Sequence, residues 1–350
     1  MRIGLVGLPN VGKSSIFNLL TSAGARVDSF PFTTVEKNTG VVLVPDARLE
    51  RIRDLLKPEK LTPAHIEFVD IAGLVKGASQ GEGLGNKFLS HIREASLMLH
   101  VLRAFDAGVA HPLGAVDPAR DLEIVESELA IADLDVCTRR LETLVKEPKT
   151  PEHETLLHAL RKLEKSLGAG LVAPELLPEE RASLRSFGFF ALKPLLYVLN
   201  CSENDPTDVA QWPTLKDKDV FPVSAALEAE AKDFPEDEKR ELRRSLGLAE
   251  AGPWGIVERC LARLGLIRFY TVKGAESRAW AIEQGTNIIE AAGRIHTTMA
   301  EGFIKADVLA YDDLVAAGDF PAAREHGKVR VEGRNYVVKD GDVILIKFRT

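Results

Sequence analysis

Short apolar runs alternate along residues 1–264 with segments whose apolar residues lie three and four positions apart, as in strands followed by helices. The runs predict strands at residues 3–6, 41–44, 65–70, 97–102, 195–199 and before 223. Those at 97–102 and 195–199 are almost continuously apolar, as expected of strands buried in a parallel sheet. The pattern therefore predicts an α/β fold.

A long insertion is predicted between the last two of these runs. They are separated by roughly 90 residues, whereas a strand–helix–strand crossover needs only about 30. The excess holds two sets of apolar residues at helical spacing, which are Leu122, Val125, Leu129, Ala132 and Val136, then Leu156, Leu160, Leu163 and Leu167. Because the segment between them contains Pro148 and Pro151, we predict a coiled-coil-like helical hairpin. A partner-binding arm and a packing element are its two alternative roles.

The pattern changes again at Arg268, where short alternating strands begin. The predicted strands are 269–272, 278–282, 328–331, 336–338 and 343–348, with one helix at 288–295. This predicts a small α+β unit. Seven basic residues crowd its C-terminal part: Arg324, Lys328, Arg330, Arg334, Lys339, Lys347 and Arg349. They form either a contact for RNA phosphates or an ordinary solvated face.

Composition narrows the functional classes. The formal net charge of −7 argues against a protein that coats nucleic acid by bulk electrostatics. Cys137, Cys201 and Cys260 are widely spaced, which predicts neither a disulfide framework nor a zinc site and favours a reducing cytosol. We also expect no signal peptide and no membrane span.

The first strand leads into a complete G-x-x-x-x-G-K-[ST] motif from Gly7 to Ser14. Its glycines allow backbone N–H groups to surround phosphate oxygens, its lysine adds a positive charge and its serine offers a hydroxyl to Mg²⁺. A plain glycine turn would not explain Lys13 and Ser14 together. The candidate phosphate-binding residues are Asn10, Val11, Gly12, Lys13, Ser14 and Ser15.

Two later segments carry candidate partners of a bound triphosphate. Asp70 ends a predicted strand and begins a D-x-x-G sequence, so we expect Asp70 to hold Mg²⁺ and the N–H of Gly73 to meet the terminal phosphate. The adjacent hydroxyls of Thr33 and Thr34 are candidates for a nucleotide-dependent switch loop. The glycine-rich stretch 77–85 is either a moving segment or a surface loop.

The strands before residues 200 and 224 are followed by sequences placed like the base-binding elements of guanine-nucleotide switches. The candidate base-binding residues are Asn200, Cys201, Glu203, Ser224 and Ala225. Cys201 stands where such switches have a lysine, and Glu203 stands where they have the aspartate that accepts from guanine. Since glutamate is longer by a methylene, guanine preference is weakened and adenine is favoured.

These motifs together resemble the YchF family, the Obg-like ATPases, over the whole chain. The resemblance implies a Ras-like P-loop domain at 1–120 and 190–267, the helical insertion at 121–189, and a TGS domain of β-grasp type at 268–350. It also implies Mg²⁺-dependent hydrolysis of ATP in preference to GTP, with Thr34 as the switch threonine.

Further roles are implied by the same resemblance. Leu74 replaces the glutamine that orients water in Ras-like enzymes, so another group must do so. His111 lies where the family is thought to bring a histidine toward the nucleotide, and Asn10 resembles an asparagine that binds K⁺ in related switches. The family associates with ribosomes, here through the TGS domain and the hairpin.

We therefore expect a cytoplasmic ATPase that acts as a slow switch in translation or stress regulation. One alternative is a ribosome- or RNA-binding scaffold with incidental hydrolysis, and another is a GTPase despite the altered base motif. A metabolite kinase is disfavoured because no arginine-rich lid segment follows the motifs.

Overall fold

The computed structural model describes residues 1–23, 39–70, 92–106, 108, 110–204 and 208–349. The chain divides into two compact units, one made of residues 1–40 and 67–260 and the other of 41–66 and 261–350. Residues 41–66 thus group with the C-terminal residues, whereas the sequence pattern assigns them to the first domain.

A six-stranded sheet forms the core around the phosphate loop, with strand order β2-β4-β1-β5-β6-β7. Its strands are β1 Arg2–Val6, β2 Thr39–Leu43, β4 His65–Asp70, β5 Leu97–Ala104, β6 Leu195–Cys201 and β7 Val220–Val223. The pairs that β1 forms with β4 and β5, and those of β5 with β6 and β6 with β7, are parallel. The predicted α/β fold is confirmed, and the phosphate loop leaves the carboxyl end of the central strand, where ligands bind in such sheets.

Within the described residues, the eight α-helices before residue 264 are numbered α1 to α8. Their bounds are α1 Lys13–Ala23, α2 Ala47–Leu56, α3 Pro118–Leu144, α4 Pro151–Leu167, α5 Pro178–Leu184, α6 Ala225–Glu230, α7 Glu236–Ser245 and α8 Gly252–Arg263. In α3 and α4 a proline occupies the first turn, after the N-caps Asp117 and Thr150. Proline is suited to this position because its missing N–H has no partner inside the helix. Pro151 therefore begins the second helix of the hairpin as well as ending the linker.

The helical hairpin has two different apolar contacts. Leu160 and Leu163 of α4 share a buried cluster with Cys137 of α3. Leu122, near the start of α3, instead packs in the cluster that contains Leu102 and Leu199 of the sheet. The first part of α3 is thus a packing element of the nucleotide domain, and the hairpin proper is formed by the later part.

The C-terminal unit contains a second six-stranded sheet with the order β11-β10-β12-β8-β9-β3. Its strands are β3 Lys60–Thr62, β8 Leu266–Lys273, β9 Glu276–Glu283, β10 Phe303–Ala310, β11 Arg330–Glu332 and β12 Asp342–Phe348. β8 and β9 form an antiparallel hairpin, and β12 is parallel to β8. With α9 Ile288–Ile295 packed on one face, this is the predicted β-grasp arrangement.

Three predictions for this unit are wrong. Residues 336–338 form no named strand in the described structure, where Val337 makes only an isolated bridge with Asn287. Strand β10 is missing from the prediction because Ile304 and Lys305 are both exposed and the next four residues are all buried, so the alternation that marks a strand is absent. The prediction has a single helix, whereas the described part of this unit contains three more: α10 Thr297–Glu301, α11 Tyr311–Ala317 and α12 Phe320–Glu325.

One buried and one partly exposed polar contact tie residues 41–66 to the rest of the C-terminal unit. Asp46 caps α2 and is only 6% exposed. Its Oδ2 accepts a hydrogen bond of 2.8 Å from the hydroxyl of Tyr270. Arg48 forms a bidentate pair with Asp340 at 2.8 and 3.0 Å. Such paired geometry is among the stronger polar interactions in proteins.

The three cysteines lie in the described part of the chain, where all are buried and none forms a disulfide. Among the described helices, none is both long and apolar enough to cross a membrane.

Candidate functional site

At two positions, the loop between β1 and α1 has a backbone conformation and surroundings that only glycine tolerates. Gly7 and Gly12 have φ angles of +152° and +89°. A Cβ at Gly7 would lie 2.5 Å from the Val101 carbonyl oxygen, and one at Gly12 would lie 2.2 Å from Nδ2 of Asn200. Both positions are therefore closed to larger residues, as expected where a loop must wrap closely around a ligand.

Lys13 begins α1 and is only 7% exposed. Its ammonium group donates a hydrogen bond of 2.9 Å to the Leu8 carbonyl, across the loop. Burial lowers the pKa of Lys13 to about 8, and the nearby charge of Asp70 offsets part of that effect. A phosphate in the loop would supply the negative charge that this buried ammonium needs.

Ser14 and Asp70 form the candidate magnesium site. The Ser14 hydroxyl donates to Oδ2 of Asp70 at 2.6 Å. The other carboxylate oxygen, Oδ1, is buried and has no hydrogen-bond partner within the described residues. A hydroxyl beside a carboxylate with one unused oxygen fits Mg²⁺, which in nucleotide sites takes one or two protein oxygens and completes its shell with phosphate and water.

Larger metal centres are not indicated. The part of the chain that the structure describes contains no group of three or more His, Cys, Asp or Glu side chains that could hold a metal ion. A cation here would therefore depend on the oxygens of Ser14 and Asp70 together with those of the nucleotide.

Asn200 connects the phosphate loop to the second base element. Its Nδ2 donates 3.1 Å to the Val11 carbonyl, and its Oδ1 accepts 3.1 Å from the Ala225 N–H. Ser224 caps the helix that follows by accepting from the N–H of Leu227 at 3.2 Å. Asn200 is 3% exposed, so its side chain positions the loop and the base element relative to one another.

The two departures from the guanine motif lie in different surroundings. Cys201 is 2% exposed and belongs to the apolar cluster of Leu102 and Leu199, so its side chain is in the core. Its thiol lies 3.2 Å from the Leu199 carbonyl. Glu203, two residues further, is half-buried just beyond the end of β6. Of the two side chains, Glu203 is the one that a ligand can reach.

Arg103 supports the phosphate loop and is not among the residues predicted from the sequence. Its side chain is buried beneath the loop, and donates to the carbonyls of Asn10 at 3.2 Å and Phe105 at 2.9 Å. Asn10 in turn donates from its amide nitrogen to the Ala110 carbonyl at 3.3 Å. The only signal in the sequence is a charged residue at the end of an otherwise apolar strand.

His111 is held by hydrogen bonds at both ring nitrogens. Its Nδ1 accepts a hydrogen bond of 3.2 Å from the Leu113 N–H, so the proton of the neutral ring lies on Nε2. Nε2 then donates to Oδ2 of Asp121, and these two atoms are 2.8 Å apart. Both side chains are 1% exposed, and Arg120 lies 2.9 Å from the other oxygen of Asp121. In this arrangement His111 has no nitrogen available for a water molecule.

Four of the predicted switch residues, Thr33, Thr34, Gly73 and Leu74, lie outside the described residues, as does the glycine-rich stretch 77–85. The structure brings together Lys13, Ser14 and Asp70, and separately joins Asn200 to Val11 and Ala225.

Comparison with known proteins gives relatives over the full length. The chain is 42% identical to "Ribosome-binding ATPase YchF" of Escherichia coli O157:H7, an alignment that covers 99% of each chain. The chain belongs to the YchF family. A second family member, the protein of the same name from Bacillus subtilis, is 40% identical over 99% of each chain.

Solved structures and family models agree with this membership. "Structure of the Schizosaccharomyces pombe YchF GTPase" matches with a TM-score of 0.82 and 32% identity, and the match covers 99% of this chain and 97% of that one. The family model MMR_HSR1, described as "50S ribosome-binding GTPase", matches residues 2–146. The model YchF-GTPase_C, described as "Protein of unknown function (DUF933)", matches residues 266–349.

Proposed function

We propose that this member of the YchF family is a Mg²⁺-dependent ATPase that works as a nucleotide-controlled switch on the ribosome. The observation that carries the proposal is the juxtaposition of Lys13, Ser14 and Asp70 at the mouth of a glycine loop. An ammonium, a hydroxyl and a carboxylate in that order are the parts that phosphoryl transfer needs for positioning and charge neutralisation.

Lys13 binds the β- and γ-phosphates. In the structure its ammonium is satisfied by the Leu8 carbonyl, a neutral acceptor. Because burial disfavours its charge, exchange of that carbonyl for phosphate oxygens strengthens the interaction. The N–H groups of residues 10–15 and the N-terminus of α1 complete the phosphate site.

Ser14 and Asp70 would hold Mg²⁺, with Thr34 as the third protein ligand when ATP is bound. The chemistry that the ion would supply is neutralisation of the phosphate charge. The hydrogen bond from the Ser14 hydroxyl to Asp70 keeps the two oxygens together. Gly73 then offers its N–H to the γ-phosphate, which links the terminal phosphate to the segment that follows Asp70.

Adenine is the base that this site favours. Asn200 orients the loop and the Ser224–Ala225 element, and the carboxylate of Glu203 meets the base edge. Guanine recognition in related switches depends on a shorter carboxylate and on a lysine stem over the base, and this chain has Glu203 and the buried Cys201 in those places. The bacterial relatives are named ATPases, whereas the fission-yeast relative is named a GTPase.

Hydrolysis needs a group that orients water, because the side chain of Leu74 has no polar atom. We assign this role to His111 after release from Asp121. We assign K⁺ binding to Asn10, whose nitrogen donates to Ala110 and whose oxygen is the atom that a cation would take. A bound K⁺ would add positive charge near the phosphates.

The name of the bacterial relatives supports ribosome association. We assign the C-terminal unit as a TGS domain that takes part in this contact. Four of the seven basic residues there pair with carboxylates, namely Arg324 with Asp307, Lys328 with Asp313, Arg330 with Glu332, and Lys347 with Asp307. These pairs weaken the case for a broad basic RNA-binding face. The contact with rRNA then depends on Arg334, Lys339 and Arg349 and on the hairpin.

Ribosome co-sedimentation tests the switch. The full chain is mixed with ribosomes in the presence of a non-hydrolysable ATP analogue, ADP or no nucleotide, with Lys13→Ala as the control that no longer responds to ATP. The proposal predicts that the affinity for ribosomes differs at least about fivefold between the analogue and ADP. This factor corresponds to the lower end of typical coupling free energies. Equal binding in all three states would favour a scaffold with incidental hydrolysis. A cytoplasmic location is part of the same proposal.

A further inference from the structure

Two side chains of the central sheet hold consecutive carbonyl groups of the phosphate loop. Arg103, on β5, donates to the carbonyl of Asn10 at 3.2 Å. Asn200, on β6, donates to the carbonyl of Val11 at 3.1 Å. Arg103 and Asn200 are partners in the register of these two parallel strands, near their carboxyl ends. Two adjacent peptide groups of the loop are therefore held by donors that stand next to each other in the sheet.

These contacts determine which way the next N–H groups point. In a planar trans peptide the C=O and the N–H point in opposite directions. Because the carbonyls of Asn10 and Val11 are turned toward the donors of the sheet, the N–H groups of Val11 and Gly12 are turned away from them. Within the described residues, neither of these N–H groups donates to another protein group. Both are therefore available to phosphate oxygens.

The backbone of Asn10 needs the support that Arg103 gives. Its φ angle is +62°, in the left-handed region that few residues other than glycine adopt. Left-handed residues also help to turn successive N–H groups to a common side, as in the anion-binding concavities of phosphate sites. The hydrogen bond from Arg103 thus stabilises the conformation that presents the two N–H groups.

Arg103 is itself held in one orientation. Its side chain is 1% exposed, and its Nε donates to the carbonyl of Phe105 at 2.9 Å. The guanidinium carbon lies 4.6 Å from the centre of the Phe105 ring. That ring also reaches the loop, because a Cβ on Gly12 would lie 3.9 Å from its Cε1. A rigid, planar guanidinium can donate to two carbonyls at once in fixed directions, which the ammonium of a lysine does less well.

Arg103 also brings to the loop a charge that the base element lacks. Cys201 stands where guanine-nucleotide switches have a lysine, and its side chain is in the core. The neighbouring strand instead places a buried guanidinium beneath the loop. A cation shielded from water acts more strongly on a nearby phosphate than one in solvent.

We propose that Arg103 is a positioning residue for nucleotide binding, which orients the peptide group between Asn10 and Val11 so that the Val11 N–H meets the α- and β-phosphates. This role rests on the proposed function, because it lies within the phosphate site. Asn200 orients the next peptide group and the Gly12 N–H in the same way. ADP and ATP share the α- and β-phosphates that such loops surround, so Arg103 contributes equally to the binding of both.

Calorimetry and phosphorus NMR test this role with the full chain and Mg²⁺. Arg103→Met removes the donors and the charge but keeps an unbranched side chain. It is expected to weaken the binding of ADP and of a non-hydrolysable ATP analogue by a common factor of at least about tenfold. At saturating ADP, the β-phosphorus resonance of the bound nucleotide is expected to move toward its position in free Mg²⁺–ADP, because it loses a hydrogen bond.

Arg93→Met is the matched control. Arg93 is also largely buried, lies 4.3 Å from the centre of the Phe190 ring and donates to the Ala132 carbonyl at 3.0 Å. The variant therefore repeats the loss of a packed arginine among residues of the hairpin and its surroundings. It is expected to leave both affinities and the β-phosphorus resonance unchanged, and an effect equal to that of Arg103→Met would overturn the proposal.

The outcomes separate this role from the proposed function. If Arg103→Met binds ADP like the wild type, loses affinity for the ATP analogue alone, or binds weakly with an unmoved resonance, then Arg103 does not position the loop, and the ATPase proposal still stands. If the wild type binds neither nucleotide, both are wrong. Melting temperatures verify that each variant folds. Should Arg103→Met not fold, Arg103→Lys decides by the same resonance, whose displacement supports the role and whose wild-type position overturns it.

Discussion

Asn200 donates a hydrogen bond of 3.1 Å to the carbonyl of Val11, although the two residues are 189 positions apart. The same side chain receives the N–H of Ala225. Gly12 approaches this amide so closely that a Cβ would lie 2.2 Å from Nδ2. The phosphate loop and the segment that begins at Ser224 are therefore fixed to each other by one buried amide.

Replacement of Asn200 by Ala is expected to weaken ATP binding at least about tenfold and to lower the free energy of unfolding by about 1–3 kcal/mol. The physical reason is that the Val11 carbonyl and the Ala225 N–H would each lose a buried partner. Calorimetric titration and urea denaturation measure the two effects. Asn204→Ala is the matched control because Asn204 lies just beyond the same strand and its side chain does not join these elements. Unchanged affinity in Asn200→Ala would contradict the positioning role.

Asp70→Asn is expected to remove most of the benefit that Mg²⁺ gives to ATP binding. The substitution keeps the shape of the side chain and a partner for the Ser14 hydroxyl but removes the negative charge. Affinity for ATP is measured with Mg²⁺ and with a chelator. We expect the variant and the wild type to differ with Mg²⁺ and to agree in the chelator. Glu67→Gln, on the same strand, serves as control, and a full Mg²⁺ effect in Asp70→Asn would exclude Asp70 as a magnesium ligand.

ATP affinity is expected to fall as pH rises through about 8, the pKa of Lys13 in the free protein. Bound phosphate favours the charged ammonium and so raises the pKa of Lys13. Above about pH 8 the protein therefore takes up a proton when it binds ATP, whereas well below pH 8 Lys13 is already protonated and proton uptake is small. Calorimetry at about pH 8.5 in two buffers of different ionisation enthalpy measures the uptake. Lys13→Arg, whose charge persists over this range, is expected to abolish it. Identical heats for the wild type in both buffers would rule out the lowered pKa.

Asp121→Asn is expected to raise the turnover number for ATP, because it weakens the hydrogen bond that holds Nε2 of His111. His111→Asn is expected to lower the turnover number, because it removes the imidazole that we assign to the attacking water. Steady-state hydrolysis, with melting temperatures measured in parallel, separates catalysis from stability. If both variants lose stability and neither changes turnover, then the His111–Asp121 pair is only structural.

The helical hairpin illustrates what a sequence can predict well. The spacing of apolar residues and the prolines at 148 and 151 predict two helices with a break between them, since each of these signals is local. The sequence does not show that Leu122 packs against the sheet, because that depends on which distant residues face it. Strand β10 escapes prediction for a related reason, since both of its faces are buried near its centre.

The residues of the candidate site also differ in whether a local signal in the sequence predicts them. The phosphate-binding residues are predicted from a contiguous motif, and Asp70 is predicted from its place at the end of a strand. Arg103 is not predicted, because its contact with the Asn10 carbonyl joins segments 93 residues apart. Nor does the sequence indicate that His111 is held by Asp121, a contact that depends on how the chain folds between β5 and α3.

The central claim is that a GTPase-like fold here prefers adenine, and calorimetric titration of the wild-type chain with ATP and with GTP in the presence of Mg²⁺ tests it most directly. The account predicts that ATP binds at least about tenfold more tightly, a difference of about 1.4 kcal/mol. Glu203→Asp, which restores the shorter carboxylate, is expected to narrow that difference. Equal affinities, or tighter binding of GTP by the wild type, would contradict the account.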